Sequence, residues 1–245
     1  MNKDSSNRCS RCGRYVATTD KFCSECGMFL QDAFIDRRLV LAWENERDGH
    51  GKEARRELER ILDDDPAHVL ANHMLGNLFF HEGAMEVAIR HYRRAVETAP
   101  NFVVGHYDLG VAWYAMGYMP KAIEEFQRCL EIDPHYNTAH YRLALALFHA
   151  GRLEEALRHF EQSVILTPDF HMAHYHMGVI YERLGDFVAA DAAFERSLAE
   201  DVGEVSSLYH QALIRRAQGN EAAAEECLKR AQQLSQARAE VATAR

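Results

Sequence analysis

The 245 residues predict an all-α fold, a solenoid in which one helical hairpin is repeated six times, with a small module ahead of it. The first observation is self-similarity at a period of 34 residues, which indicates a repeat architecture. The second is that two columns of the repeat keep one small residue type, and the third is that proline closes the first four copies. The columns are Ala54, Ala88, Ala122, Ala156, Ala190 and Ala224, then Gly49, Gly83, Gly117, Gly151, Gly185 and Gly219, and the prolines are Pro66, Pro100, Pro134 and Pro168.

Four cysteines indicate the N-terminal module. Residues 1–8 are polar, and we expect them to be disordered, whereas segment 9–31 holds two C-x-x-C-G motifs separated by ten residues. Each motif turns tightly enough for both sulfurs to face one ion, and its glycine supplies the left-handed backbone of that turn. Four thiolates complete a closed tetrahedral shell, which predicts a structural site for one Zn²⁺ per chain. The predicted ligands are Cys9, Cys12, Cys23 and Cys26. The segment resembles the short zinc-ribbon modules found at the termini of bacterial proteins.

Zinc is favoured over three alternatives at these cysteines. Two disulfides need an oxidising compartment, and a redox C-x-x-C usually occurs singly in a βαβ setting. Iron uses the same four ligands, so the choice between zinc and iron stays open. Four basic residues surround the cysteines, either to offset the negative charge of a four-thiolate zinc site or to contact nucleic acid. These are Arg8, Arg11, Arg14 and Lys21.

Each repeat has the pattern of a helical hairpin. Two apolar-periodic segments of about 14 residues flank a turn centred on glycine. Small residues, such as Gly76 and Gly110, let the two helices approach closely, and larger residues such as Leu109 and Phe126 fill the crossing. Proline lacks an N–H and stops the second helix. One hairpin cannot bury its own apolar surface, so stacked neighbours are the unit of stability.

The spacing W-x-x-L-G-x-x-Y, followed by alanine, an aromatic residue and proline within 34 residues, resembles the tetratricopeptide repeat family. The resemblance implies a right-handed superhelix of hairpins. The predicted copies are 35–68, 69–102, 103–136, 137–170, 171–204 and 205–238, and 239–245 is a C-terminal tail. The fifth copy has Val202 in place of proline, with Gly203 as a candidate helix cap, and the sixth has Gln236 there.

Histidine takes the place of an aromatic residue in three central copies, at His106, His140 and His174. They recur because the repeat recurs, so we expect them to pack against the second helix. A metal site among the 14 histidines is disfavoured, because His174 and His176 point about 200° apart on one helix.

The resemblance implies a concave face lined by the first helices of the repeats. The positions that map to it carry aromatic and aliphatic side chains, although the opposite side of these helices is already apolar. An apolar patch with a polar rim marks a binding site, so these residues predict a groove for an apolar segment of a partner protein, as an extended peptide or an amphipathic helix. The alternative is that the tyrosines only pack between neighbouring repeats. The groove residues are Phe80, Tyr107, Val111, Tyr114, Tyr141, Leu145, Phe148, Tyr175 and Val179.

A carboxylate clamp, which this family uses for chaperone tails, is not expected. The best-matching frame is His73, Asn77, Asp108, Thr138 and Arg142. Two of the five positions match the clamp, and Asp108 would repel a carboxylate.

Composition narrows the function. The net charge is −9, and residues 33–245 carry 23 Lys and Arg against 33 Asp and Glu, so the array is a poor partner for phosphate backbones. No apolar run reaches the roughly 18 residues of a membrane span, and the N-terminus has no secretory signal, which favours the cytoplasm. No catalytic motif is present. We therefore expect a non-enzymatic adaptor that binds a protein or peptide. The alternative is a nucleic-acid-associated factor that contacts DNA or RNA through the ribbon. A second copy of this chain is an alternative partner.

Overall fold

The computed structural model describes residues 36–198 and 204–243. The predicted disordered segment 1–8, the predicted ribbon 9–31 and the candidate cap Gly203 lie outside these residues. The described residues form twelve α-helices and no strand, so the predicted all-α hairpin solenoid is confirmed for this part of the chain. The helices are α1 (Arg37–Arg47), α2 (Gly51–Asp64), α3 (Val69–His81), α4 (Met85–Thr98), α5 (Val103–Ala115), α6 (Met119–Ile132), α7 (Asn137–His149), α8 (Leu153–Leu166), α9 (His171–Leu184), α10 (Phe187–Ser197), α11 (Glu204–Ala217) and α12 (Glu221–Thr243).

Two compact units divide the chain, one ending at Ala139 and the other beginning at His140. In the first unit α1 pairs with α2, α3 with α4 and α5 with α6, and α2 and α4 each contact the next hairpin. In the second unit α9 pairs with α10 and α11 with α12, while α8 contacts α9 and α10 contacts α11. In both units hairpins therefore stack in chain order.

Glycine closes each hairpin turn. At Gly117, between α5 and α6, φ is 79°, a left-handed conformation that glycine adopts without a Cβ penalty. The five equivalent turn glycines have φ between 77° and 81°. The chain can therefore reverse direction at the same point of every repeat.

A second set of glycines lets the two helices of a hairpin touch. A Cβ on Gly110 would lie 2.7 Å from ring atoms of the buried Phe126, and one on Gly76 would lie 2.5 Å from Tyr92. Both distances are too short for a real Cβ contact. The aromatic ring of the second helix therefore packs directly on the backbone of the first helix.

The first and the last helix form the two ends of the described array. The first helix, α1, begins after Asp36, whose carboxylate accepts a hydrogen bond of 2.9 Å from the backbone N–H of Arg38. This bond satisfies one of the unpaired donors at the helix start. At the other end α12 continues to Thr243, into the segment predicted as the tail. No helix of the described residues is both long and apolar enough to cross a membrane.

Candidate partner-binding surface

In the first unit the predicted groove residues are half-buried on the first helices. Phe80 lies on α3, and Tyr107, Val111 and Tyr114 lie on α5. Tyr107 packs against the second helix of its own hairpin, with its ring centroid 6.0 Å from that of Phe126. The remaining surface of these side chains faces solvent, so a partner can contact it.

A cavity of about 220 Å³ opens between α3 and α5, and we call it the α3–α5 pocket. Two of the predicted groove residues, Phe80 and Val111, are part of its wall. Tyr92 reaches it from α4 and donates a hydrogen bond of 2.8 Å from its hydroxyl to Oδ1 of Asn77. The lining residues are Asn77, Phe80, His81, Tyr92, Asp108 and Val111.

Carboxylates dominate the electrostatics of this pocket. Oδ2 of Asp108 lies 2.7 Å from Nε2 of His73. Burial raises the pKa of the Tyr92 hydroxyl, and the charges of Asp108 and Glu46 raise it further. The half-buried Glu46 of α1 has its own pKa raised by burial, which His81 and His73 partly oppose. Burial therefore disfavours the charged forms of Glu46 and Tyr92 around this pocket.

In the second unit the predicted tyrosines pack within and between repeats. Tyr141 lies 4.6 Å from Phe170 between ring centroids, and Tyr175 lies 6.0 Å from Phe194 of its own hairpin and 5.9 Å from His210 of the next. Each tyrosine is still only half-buried. Each ring therefore packs within the unit and keeps part of its surface exposed.

Leu145, Val179 and Leu213 occupy the same position in three successive repeats of the second unit, and they differ in exposure. Leu145 is 8% exposed and offers almost no surface to a partner, whereas Val179 is half-buried. In the last hairpin the equivalent Leu213 is 56% exposed and Tyr209 is 48% exposed. Phe148 is half-buried beneath the guanidinium of Arg183, which lies 4.5 Å from the ring centroid. A side chain at this position of the repeat is therefore exposed only where neighbouring side chains do not cover it.

The three predicted core histidines are buried, at 7% exposure for His106, 9% for His140 and 6% for His174. Nε2 of His106 donates a hydrogen bond of 3.1 Å to the carbonyl oxygen of Pro100, and Nε2 of His174 makes the equivalent bond of 3.2 Å to Pro168. These histidines therefore tie the proline turn to the helix that follows it.

Metal ligation is not provided by the described residues, because no group of three or more His, Cys, Asp or Glu side chains there could hold an ion. Cys129 and Cys227 are buried free thiols, and burial raises the pKa of both. The predicted zinc ligands Cys9, Cys12, Cys23 and Cys26 lie outside this part of the chain.

Sequence reasoning missed the α3–α5 pocket. From the sequence, Asp108 was interpreted only as a residue that would repel a carboxylate. The pocket depends on Tyr92, which comes from the second helix and reaches through because Gly76 has no side chain. The pairing of a glycine on the first helix with an aromatic residue on the second was the one available signal.

These stacked helical hairpins define a helical repeat protein. The tetratricopeptide repeat pattern matches residues 39–101, 103–136, 138–170, 173–206 and 205–238. The chain belongs to the tetratricopeptide repeat family. A comparison with curated protein sequences gave no match.

Solved structures show the same fold. MamA superposes with a TM-score of 0.66 at 23% identity, over 67% of this chain and 96% of MamA. YrrB, described as a TPR protein with an unusual peptide-binding site, has a TM-score of 0.64 at 18% identity, over 72% of this chain and 91% of its own. PilF of Pseudomonas aeruginosa has a TM-score of 0.66 at 17% identity, over 78% of this chain and 87% of its own. At these identities the likeness concerns the fold alone.

Proposed function

We propose that this protein is a non-enzymatic scaffold that binds a segment of a partner protein on the first helices of its repeats. The observation that carries the proposal is the half-buried apolar surface of Phe80 and Val111, which line an open pocket between two neighbouring hairpins of the first unit, with the half-buried Tyr114 on the same helix as Val111. Aromatic residues in concave sites usually contribute most of the binding energy. YrrB, a protein of the same fold, has a peptide-binding site. The occupant is an extended peptide or an amphipathic helix.

The test compares two phenylalanines. Phe80→Ala truncates a groove side chain, and Phe187→Ala removes an equally large ring that is 40% exposed at the start of α10. Affinity capture from cell extract, read by mass spectrometry, should lose partners for Phe80→Ala and keep them for Phe187→Ala. Loss of one aromatic anchor costs on the order of 2 kcal/mol, or roughly a 30-fold weaker complex.

Melting curves of both variants separate a binding defect from a folding defect. We expect each variant to remain helical at the temperature of capture. A stable Phe80→Ala protein that captures the same partners as the wild type would show that the first-helix surface is not the binding site.

We also propose that segment 9–31 holds one structural zinc ion per chain through Cys9, Cys12, Cys23 and Cys26. The paired C-x-x-C-G motifs support this proposal. Four free thiolates also fit a reducing compartment such as the cytoplasm. Elemental analysis of purified protein should give one zinc per chain, and Cys12→Ser should release it while the helical signal of the repeats is retained. Protein that contains iron or no metal would contradict the proposal.

A further inference from the structure

The floor of the α3–α5 pocket has a free acceptor. Asp108 uses Oδ2 for its bond to His73, and Oδ1 has no hydrogen-bond partner among the described residues. Asn77 uses its carbonyl oxygen to accept the hydroxyl of Tyr92. The side chain of Asp108 is 25% exposed, so its carboxylate is partly removed from water and still reachable.

A second carboxylate is close enough to act electrostatically on Tyr92 and His81 of this pocket. Glu46 of α1 is half-buried, and its carboxylate makes no hydrogen bond or ion pair within the part of the chain that the structure describes. A partly buried carboxylate without a partner carries a desolvation cost that a nearby cation removes. The basic side chains whose charges act on Glu46 are His73 and His81.

Apolar walls stand above these carboxylates. Phe80 from α3 and Val111 from α5 line the same cavity of about 220 Å³. A cavity with apolar walls and an acidic floor fits a long side chain that has an aliphatic stem and a cationic end, since lysine and arginine bury the stem and keep the charge on a polar group.

We propose that the α3–α5 pocket binds a lysine or arginine side chain of the partner segment. The aliphatic stem lies between Phe80 and Val111, and the cationic group meets Oδ1 of Asp108 with Glu46 nearby. This inference rests on the proposed function, because it names the chemistry of the segment bound at the same surface. The net charge of −9 favours approach of a basic segment, since complementary charge raises the rate of encounter.

Other ligands suit the pocket less well. A carboxylate or a phosphate would be repelled by Asp108 in the pocket lining, and the charge of Glu46 would add to that repulsion. A metal ion lacks ligands, because the described residues contain no group of three that could hold one. A wholly apolar side chain would leave the Asp108 oxygen removed from water and without a partner, which is unfavourable.

Selection from a library of displayed random peptides tests the inference, with full-length protein as bait at about pH 8. We expect the enriched peptides to share one lysine or arginine. A selected peptide should bind at least tenfold more weakly when that residue is replaced by norleucine. Asp108→Asn should weaken the original peptide by a similar factor and leave the norleucine analogue unaffected.

Two further variants act as controls. Asp63→Asn makes the same change at an exposed position on α2 of the same unit and should leave the affinity within about twofold. Because Asp108→Asn also alters the bond to His73, Glu46→Gln is the second pocket variant. The Glu46 carboxylate makes no hydrogen bond among the described residues, so Glu46→Gln should weaken peptide binding several-fold at an unchanged melting temperature.

The outcomes separate this inference from the proposed function. Enriched peptides without a shared basic residue, whose binding Phe80→Ala abolishes and Asp108→Asn does not, would overturn the pocket inference and leave the scaffold function standing. If no peptide is enriched, capture of a partner through Phe80 decides the scaffold function, and the pocket inference falls. Equal binding of a selected peptide and its norleucine analogue also overturns the inference.

Discussion

Polar pairs join the two helices of a hairpin at one repeated position. Asn72 accepts from Nδ1 of His91 at 3.1 Å, and His140 shares a hydrogen bond of 3.1 Å with His159. In the fifth hairpin the equivalent histidine is His174. Its Nδ1 is buried and has no hydrogen-bond partner among the described residues. Ala193 occupies the position 19 residues later, where the first four hairpins carry a glutamate or a histidine.

The first prediction is that Ala193→His stabilises the fifth hairpin. A histidine at this place reproduces the pair of His140 and His159, and an unsatisfied buried nitrogen costs about 1–3 kcal/mol. We expect a higher midpoint in urea unfolding followed by circular dichroism. Ala192→His, at the exposed neighbouring position on α10, should leave the midpoint nearly unchanged. Equal midpoints for the two variants would show that the unpartnered Nδ1 of His174 does not lower the stability of the fold.

Two histidines of the second unit make the fold sensitive to acid. Burial lowers the pKa of His176 to about 4, and His149 lowers it further. Burial likewise lowers the pKa of His159 to about 4, with His140 as the next cause. In the unfolded chain these two imidazoles therefore become protonated below about pH 6.5, whereas in the folded protein they stay neutral until about pH 4.

The second prediction concerns this pH window. Stability should be full above about pH 6.5 and fall progressively as the pH drops towards 4. His176→Phe should flatten this loss, because the ring stacks on Phe160 with centroids 5.4 Å apart and phenylalanine keeps that contact. Melting temperatures from pH 4 to 8 measure the effect. The same change at the exposed His135 is the control, and an identical acid profile for both variants would refute the assignment.

Different hairpins fill the contact between their two helices with different pairs of residues. In the third hairpin Gly110 lies under the buried ring of Phe126. In the first hairpin Ala42 and Leu58 share one buried cluster at the equivalent positions. A small residue with an aromatic partner and a slightly larger one with a leucine partner therefore fill a similar volume.

The third prediction is a double-mutant cycle on this contact. Gly110→Ala forces the new Cβ against Phe126, and overpacking of a core costs roughly 1–3 kcal/mol. Phe126→Leu alone leaves a cavity. The double variant should lose less stability than the sum of the single losses, with a coupling energy of about 0.5–3 kcal/mol in urea unfolding. If the two single losses of stability simply added up in the double variant, the side chains at positions 110 and 126 would not compete for the same volume.

The charge of the chain limits its partners. Residues 33–245 carry 23 Lys and Arg against 33 Asp and Glu, and a negative surface repels a phosphate backbone. The fourth prediction is that this part of the chain is not retained on duplex DNA at about 0.15 M salt. Full-length protein run in parallel reports any contribution of the segment 1–32. Retention of residues 33–245 would contradict the prediction.

The sequence determined the hairpins and their order by itself. The 34-residue period, the turn glycines and the proline stops are local patterns, and each acts through the backbone of a few neighbouring residues. The structural role of His106, His140 and His174 could be predicted in the same way, because a residue type that recurs at one position of every central repeat contributes to packing of the repeat. Burial of His106 confirmed this interpretation.

Only the tertiary structure decided which surface positions are open. Leu145 and Leu213 share one column of the repeat, yet Leu145 is 8% exposed and Leu213 is 56% exposed, because exposure depends on the side chains that neighbouring helices place against it. The α3–α5 pocket likewise needs Tyr92 from one hairpin and Asp108 from the next. Residues so far apart along the chain meet through packing, which no pattern within a single repeat can report.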